Sequence, residues 1–231
     1  MFDGVRPWLE GERSLARLNG AAESIQLRTE TGKPVRFVPP GAKHAYYELK
    51  VHETGCVETR PDNLHDFFNA LAWLAFPRTK ARINALHAAE IPREGRRRGR
   101  LRDLLTIFDE GGAIVQCDDP ELAALLRNLQ WKKLFWANRD QVRAAMRIVV
   151  FGHAVLEKAL EPWPGVTCKA ILVPAAADPD AAALSWFDRL APGASPRDLA
   201  PLPVFGFPGW LRQDEAFYDD TRYFRPLRAN G

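Results

Sequence analysis

The sequence predicts an α+β fold, rich in helix, forming one domain across residues 1–231 with small antiparallel β elements and an extended aromatic- and proline-rich C-terminal arm over 192–231. Three observations predict it. An apolar, helix-forming run extends from Leu64 to Phe76 and is entered through polar groups. Short β-branched or aromatic runs, separated by glycine and charged turns, lie on both sides of it. No internal repeat or long linker divides the chain.

Taken in order, residues 1–23 read as irregular, with a short helix near Glu12 to Leu18. Ile25 to Arg28, Pro34 to Val38 and Ala45 to Val51 read as strands. The Glu53-Thr54-Gly55 turn leads to Val57-Glu58-Thr59, so a meander or hairpin is expected. Asp62 or Asn63 caps a helix that stops or bends at Pro77. A second helix over 79–90 follows. Pro92 to Arg100 reads as an exposed loop. Leu104 to Phe108 and Ala113 to Cys117 flank Asp109-Glu110-Gly111-Gly112, a hairpin signal because glycine adopts positive φ readily. Asp118 or Asp119 before Pro120 opens a helix to Leu129. A long helix is expected from Asn138 to Leu160, a buried strand over 166–173, and a helix from Asp178-Pro179 that carries Trp186 and Phe187.

Composition narrows the function classes. Hydrophobic residues make up 46% of the chain and charged residues 26%, with a net charge of +3. This is ordinary for a globular protein and too mildly basic to mark a nucleic-acid binder. Cys56, Cys117 and Cys168 are odd in number and form no CxxC pair, which argues against a zinc knuckle and a disulfide framework and suits a reducing cytosol. No run is long enough to span a membrane, and Asp3, Arg6, Glu10 and Glu12 are unlike a signal peptide. A cytoplasmic setting without a membrane partner is therefore expected. Phosphate-cradling GxGxxG and GxxxxGK[ST] motifs and the GxSxG elbow are missing.

Three polar islands carry the candidate chemistry. In the first, His65 and Asn69 share a helix face and Asp66 lies beside them, while Lys80, Asn84 and His87 share a face of the next helix. If the two helices fold together at Pro77, His65 and His87 converge; otherwise Asn63 caps the helix and the imidazole bonds locally. In the second, His153 and Glu157 are four residues apart on an apolar helix. They satisfy each other or face a metal ion. In the third, Asp109 and Glu110 sit at a glycine turn, as solvated charges or as oxygen ligands. Arg93, Arg96, Arg97, Arg98, Arg100 and Arg102 form the densest positive cluster. It is a solubilising loop or a phosphate contact, above all through Arg96, Arg97, Arg98 and Arg100.

The block Asn63 to Lys80 resembles a hallmark of the proteobacterial family known as domain of unknown function 3025. So do Arg102 to Gly111, Leu134-Phe135-Trp136, Phe151 to Lys158, Ala200 to Pro203 and Phe224-Arg225-Pro226. The likeness runs from about Tyr46 to Arg228. Leu64 departs from it, since an aromatic residue is expected there. The resemblance implies a soluble, single-domain bacterial protein and transfers no activity.

The residues themselves suggest a metal-dependent hydrolase. His65, Asp66, His153 and Glu157 would hold a divalent metal ion. Asp109 or Glu110 would complete the sphere or act as a general base, and Asn69 and His87 would orient a substrate. A phosphoester would suit the arginine loop. The alternative is a non-catalytic module that binds nucleic acid or a protein, its His and acid clusters being structural networks. A third option is a pocket for a small organic ligand, walled by Trp73, Trp131, Trp136 and Trp163.

Overall fold

The computed structural model describes residues 1–41, 46–94, 98–211 and 213–227. The elements follow one another as α1 (Arg6–Leu9), α2 (Leu15–Ser24), β1 (Arg36–Val38), α3 (Tyr47–Thr54), β2 (Cys56–Glu58), α4 (Leu64–Ala75), α5 (Pro77–Glu94), α6 (Arg100–Gly111), β3 (Gly112–Cys117), α7 (Pro120–Arg127), α8 (Arg139–Ala145), β4 (Met146–Val150), α9 (His153–Lys158), β5 (Thr167–Val173), α10 (Pro179–Asp188) and β6 (Ala200–Pro203). The class is α+β and helix-rich with small sheets, as the sequence predicts.

The larger sheet has the order β4-β3-β5-β6. Every residue of central β3 is buried. It pairs antiparallel with β4 and parallel with β5, and β5 pairs antiparallel with β6. Helices α6 and α10 pack on this sheet, and α9 lies against α4 and α6. A smaller sheet joins β1 and β2 in parallel. No helix among the described residues is long and apolar enough to cross a membrane.

Several expected strands and helices come out differently, for local reasons. Residues 47–54 form α3, not a strand. Gly55 ends it at φ 74°, with its N–H bonded to the Val51 carbonyl at 2.8 Å. Glycine is required there twice over, because a Cβ would also sit 2.2 Å from the Pro34 carbonyl oxygen as β1 crosses. The helix between β1 and β2 makes their pairing parallel, where a hairpin would be antiparallel. Ile25 to Arg28 closes α2 and leaves only a single bridge, Arg28 to Pro34. The segment 1–23 holds two short helices, the second capped by Ser14 Oγ, which accepts from Arg17 N at 3.3 Å.

The expected hairpin around Asp109-Glu110-Gly111-Gly112 is the end of a helix. Leu101, Leu104, Leu105 and Phe108 recur at i, i+3, i+4 and i+7, and the last three are buried. Gly112 has φ −79° and starts β3 directly. The expected helix 138–160 is α8, β4 and α9. Its middle, Ile148-Val149-Val150, is β-branched and pairs with β3. The C-terminal arm is mostly irregular but donates β6 as the sheet's edge, with Pro201 and Pro203 in the strand.

Candidate functional site

A cleft of about 480 Å³ gathers side chains from α3, α4, α5, α6 and α9. Its centre is a pair of imidazoles. His65 stands in the first turn of α4, which Asn63 caps by accepting from Asp66 N at 2.9 Å. His153 opens α9. Gly152 puts it there, since a Cβ on Gly152 would lie 2.5 Å from Gly112 N and 2.6 Å from the Glu110 carbonyl oxygen. Only glycine allows the start of α9 to rest on the end of α6, and that contact brings His153 to Asp109.

The two Nε2 atoms face each other at 3.1 Å. Each ring turns its other nitrogen towards a carboxylate: His65 Nδ1 is 3.2 Å from Glu157 Oε2, and His153 Nδ1 is 3.8 Å from Asp109 Oδ2. More than one tautomer arrangement is compatible with this network. If His65 donates from Nδ1 to Glu157, its Nε2 is an acceptor. His153 then donates from Nε2, and its own Nδ1 is left with a lone pair. That buried nitrogen has no hydrogen-bond partner among the described residues. Burial pushes the His153 pKa down to about 4, against the pull of Asp109, so the ring is neutral at pH 7.

Below the imidazoles lies a buried ammonium. Lys80 Nζ donates to Asp109 Oδ1 at 2.6 Å and to Asn69 Oδ1 at 2.8 Å, and sits 5.3 Å from the Trp73 ring centroid. Burial alone would raise the Asp109 pKa, but Lys80 and then His153 hold it below the usual carboxylate value. Glu48 stands on the cleft's other wall, where Asn84 Nδ2 donates to its Oε2 at 2.6 Å and to its carbonyl at 2.9 Å. Burial and the nearby Asp109 charge raise the Glu48 carboxyl. His87 lines the same cleft at 3% exposure, its Nδ1 unpartnered among the described residues. Burial drives its pKa down to about 4, and Arg102, Arg98 and Lys80 push the same way.

The cleft thus assembles His65, Asp66, Asn69, His87, Asp109, Glu110 and His153, with Glu157 on the outer nitrogen of His65. The His153–Glu157 pair expected along one helix does not form. Glu157 is about a third exposed and reaches across to α4. Asp66 faces the wall, not the imidazoles: its oxygens accept from Arg60 Nε at 2.7 Å and Nη2 at 2.9 Å. Burial opposes its ionisation, but the Arg60 bonds win and lower its pKa. Glu110 lies exposed at the rim.

In the basic segment, Arg96 and Arg97 lie outside the described residues. Arg98 approaches Asp103 at 3.9 Å, and Arg100 is exposed at the start of α6. Arg102 instead turns inward to Glu94 Oε2 at 3.2 Å. Sequence reasoning gave no role to Lys80, Glu48, Arg60 or Gly152. Lys80 and Asn84 did carry a signal, as polar residues on one face of a helix. Glu48 was hidden by reading α3 as a strand.

Among the described residues, no three His, Cys, Asp or Glu side chains form a metal-holding group. The pair itself does fit an ion. With metal–nitrogen bonds of about 2.0–2.1 Å, adjacent imidazole ligands lie roughly 3 Å apart, as the two Nε2 atoms do. If both Nε2 atoms bound a cation, His153 would carry its proton on Nδ1, giving that orphaned nitrogen a donor role towards Asp109. A family model described as "Protein of unknown function (DUF3025)" matches residues 35–228. No curated protein and no solved structure matches the chain.

Proposed function

The chain belongs to the DUF3025 family, and from its cleft we propose a metal-dependent hydrolase centred on His65 and His153. The observation that carries this reading is the convergence of the two Nε2 atoms at 3.1 Å, each ring backed by a carboxylate at Nδ1. Carboxylates in that position fix the tautomer and orientation of metal-ligating imidazoles. His65 and His153 would hold a divalent cation through Nε2. Glu157 and Asp109 would orient them, and water or substrate would fill the remaining positions. When bound, such an ion supplies a Lewis acid and lowers the pKa of its water. Glu110 at the rim is the free carboxylate best suited to act as a general base, and Asn69 and His87 line the floor on which a substrate would rest. An anionic phosphoester would suit the exposed Arg98 and Arg100 of the basic segment that leads into α6.

The test is elemental analysis of protein purified without a nickel column, with hydrolysis of bis(p-nitrophenyl) phosphate as the activity. We expect bound divalent metal, a fall in melting temperature with EDTA, and loss of both metal and turnover in His65→Ala and His153→Ala. Metal-free protein whose melting ignores EDTA would remove the proposal.

One observation favours a second reading, a non-catalytic binding module. Four of the cleft's acids have partners inside the chain: Asp66 with Arg60, Asp109 with Lys80, Glu157 with His65, and Glu48 with Asn84. A self-satisfied network can serve only to fix packing. On that reading, His65→Ala and His153→Ala lose stability, and the wild type turns over no phosphodiester with any added metal.

A further inference from the structure

A second cavity, of about 740 Å³, opens where β5, edge strand β6 and the C-terminal arm meet. Its size falls within the range of small-molecule pockets, roughly 300–1,000 Å³. Its walls are aromatic and fixed. Trp131 stacks on Phe135 at 6.0 Å and donates from Nε1 to the Arg225 carbonyl at 2.9 Å. Tyr223 donates its hydroxyl to the Val166 carbonyl at 2.7 Å, so its polar tip is already engaged. Trp163, although 56% exposed, folds its ring over Gly165, where a Cβ would fall 1.6 Å from a ring carbon.

The charges are unbalanced. Lys169, half-buried on β5, has no hydrogen-bond or ion-pair partner among the described residues. The Arg225 guanidinium reaches only a carbonyl, that of Arg222, at 3.1 Å. The cavity's acid, Asp220, is fully used, accepting from Arg222 Nε at 2.9 Å and Nη2 at 2.8 Å. Two cations without a carboxylate partner among the described residues, beside aromatic walls, suit an anionic ligand with an apolar body. Burial raises the Cys168 thiol to about 12, which leaves it neutral and no nucleophile.

We propose that this cavity binds a small aromatic carboxylate, its ring against Trp131 and Trp163 and its charge on Lys169 and Arg225. The test is titration of the full chain with 2-naphthoate, followed by tryptophan fluorescence. Saturable single-site quenching is expected, with binding about tenfold weaker for the uncharged methyl ester and for Lys169→Met. Lys169→Arg should retain the affinity, and Trp163→Ala should lose most of it. Circular dichroism melts would establish that each variant is folded. His65→Ala should bind as the wild type does, since this site is independent of the imidazole cleft. Absence of saturation up to about 1 mM, or equal affinity in folded Lys169→Met, would overturn the proposal.

Discussion

Lys80 holds the cleft together electrostatically. Its side chain is 5% exposed and its ammonium lies 2.6 Å from Asp109. Removing one member of a buried pair leaves the other charged and unsolvated, a loss of about 3–5 kcal/mol. Lys80→Met should show a loss of that size in urea unfolding, and Lys80→Met/Asp109→Leu should recover much of it. If the double variant were no better than the single one, Asp109 would not be the group that depends on Lys80. His87 governs a pH dependence. Its folded pKa of about 4 lies below its ordinary value of 6.5. Between those values the unfolded chain takes up a proton that the folded chain refuses. Its contribution is complete above pH 6.5 and is lost as pH falls towards 4. The full drop is on the order of 3 kcal/mol. His87→Leu should therefore lose less stability than the wild type between pH 7 and pH 5, measured by urea midpoints. Equal losses would assign the titration elsewhere.

At the scale of elements, the cleft depends on α9 resting directly on the end of α6. A methyl group on residue 152 would meet backbone on three sides, Gly112 N at 2.5 Å, Glu110 O at 2.6 Å and Gly111 C at 2.7 Å. Backbone cannot swing away as a flexible side chain can. Gly152→Ala should cost about 1–3 kcal/mol and widen the His153–Asp109 spacing. A melt unchanged from wild type would mean that α9 does not rest on the end of α6 this closely. This junction also marks the limit of what the sequence could reveal. The α4 helix, its Asn63 cap and the break at Pro77 were legible because capping and proline rules are local. So was the α7 start at Asp119-Pro120. The end of α6 was not, because Asp-Glu-Gly-Gly satisfies turn rules equally well and only the Leu101-to-Phe108 stripe decides for helix. The Met146–Val150 run was ambiguous for a similar reason. A short buried run has no polar side to reveal its period, and pairing with β3 settles it. His65, Asp109 and His153 could be picked out as unusual residues, but their meeting depends on strand pairing and on Gly152, neither of which has a local signature.

Across the whole molecule, one buried carboxylate adds a polar tie between the first half of the chain and the last third. Helix α5 starts at Pro77, immediately after α4, and has no capping residue of its own. Its first free N–H groups are instead satisfied by Asp180 from α10. Oδ2 accepts from Arg78 N at 3.1 Å and Oδ1 from Thr79 N at 2.9 Å, while Thr79 Oγ1 donates to the Asp180 carbonyl at 3.0 Å. The Arg78 guanidinium adds bonds to Asp180 and Asp178. Asp180 is 4% exposed, so water cannot replace it. Asp180→Ala would leave the buried Thr79 N–H without its acceptor, at about 1–3 kcal/mol for an unsatisfied group, and would take one of two carboxylate partners from the half-exposed Arg78 guanidinium. For a chain of this size that corresponds to a fall in melting temperature of roughly 2–4 °C per kcal/mol. Asp180→Asn keeps one acceptor oxygen and should fall between wild type and alanine. Because the tie joins α5 to α10, the loss should appear equally in helix content and in tryptophan fluorescence, with coincident transitions. Early loss of the α10 signal alone in Asp180→Ala would show that the two parts of the chain unfold separately, and that this carboxylate is a local cap, not the link between them.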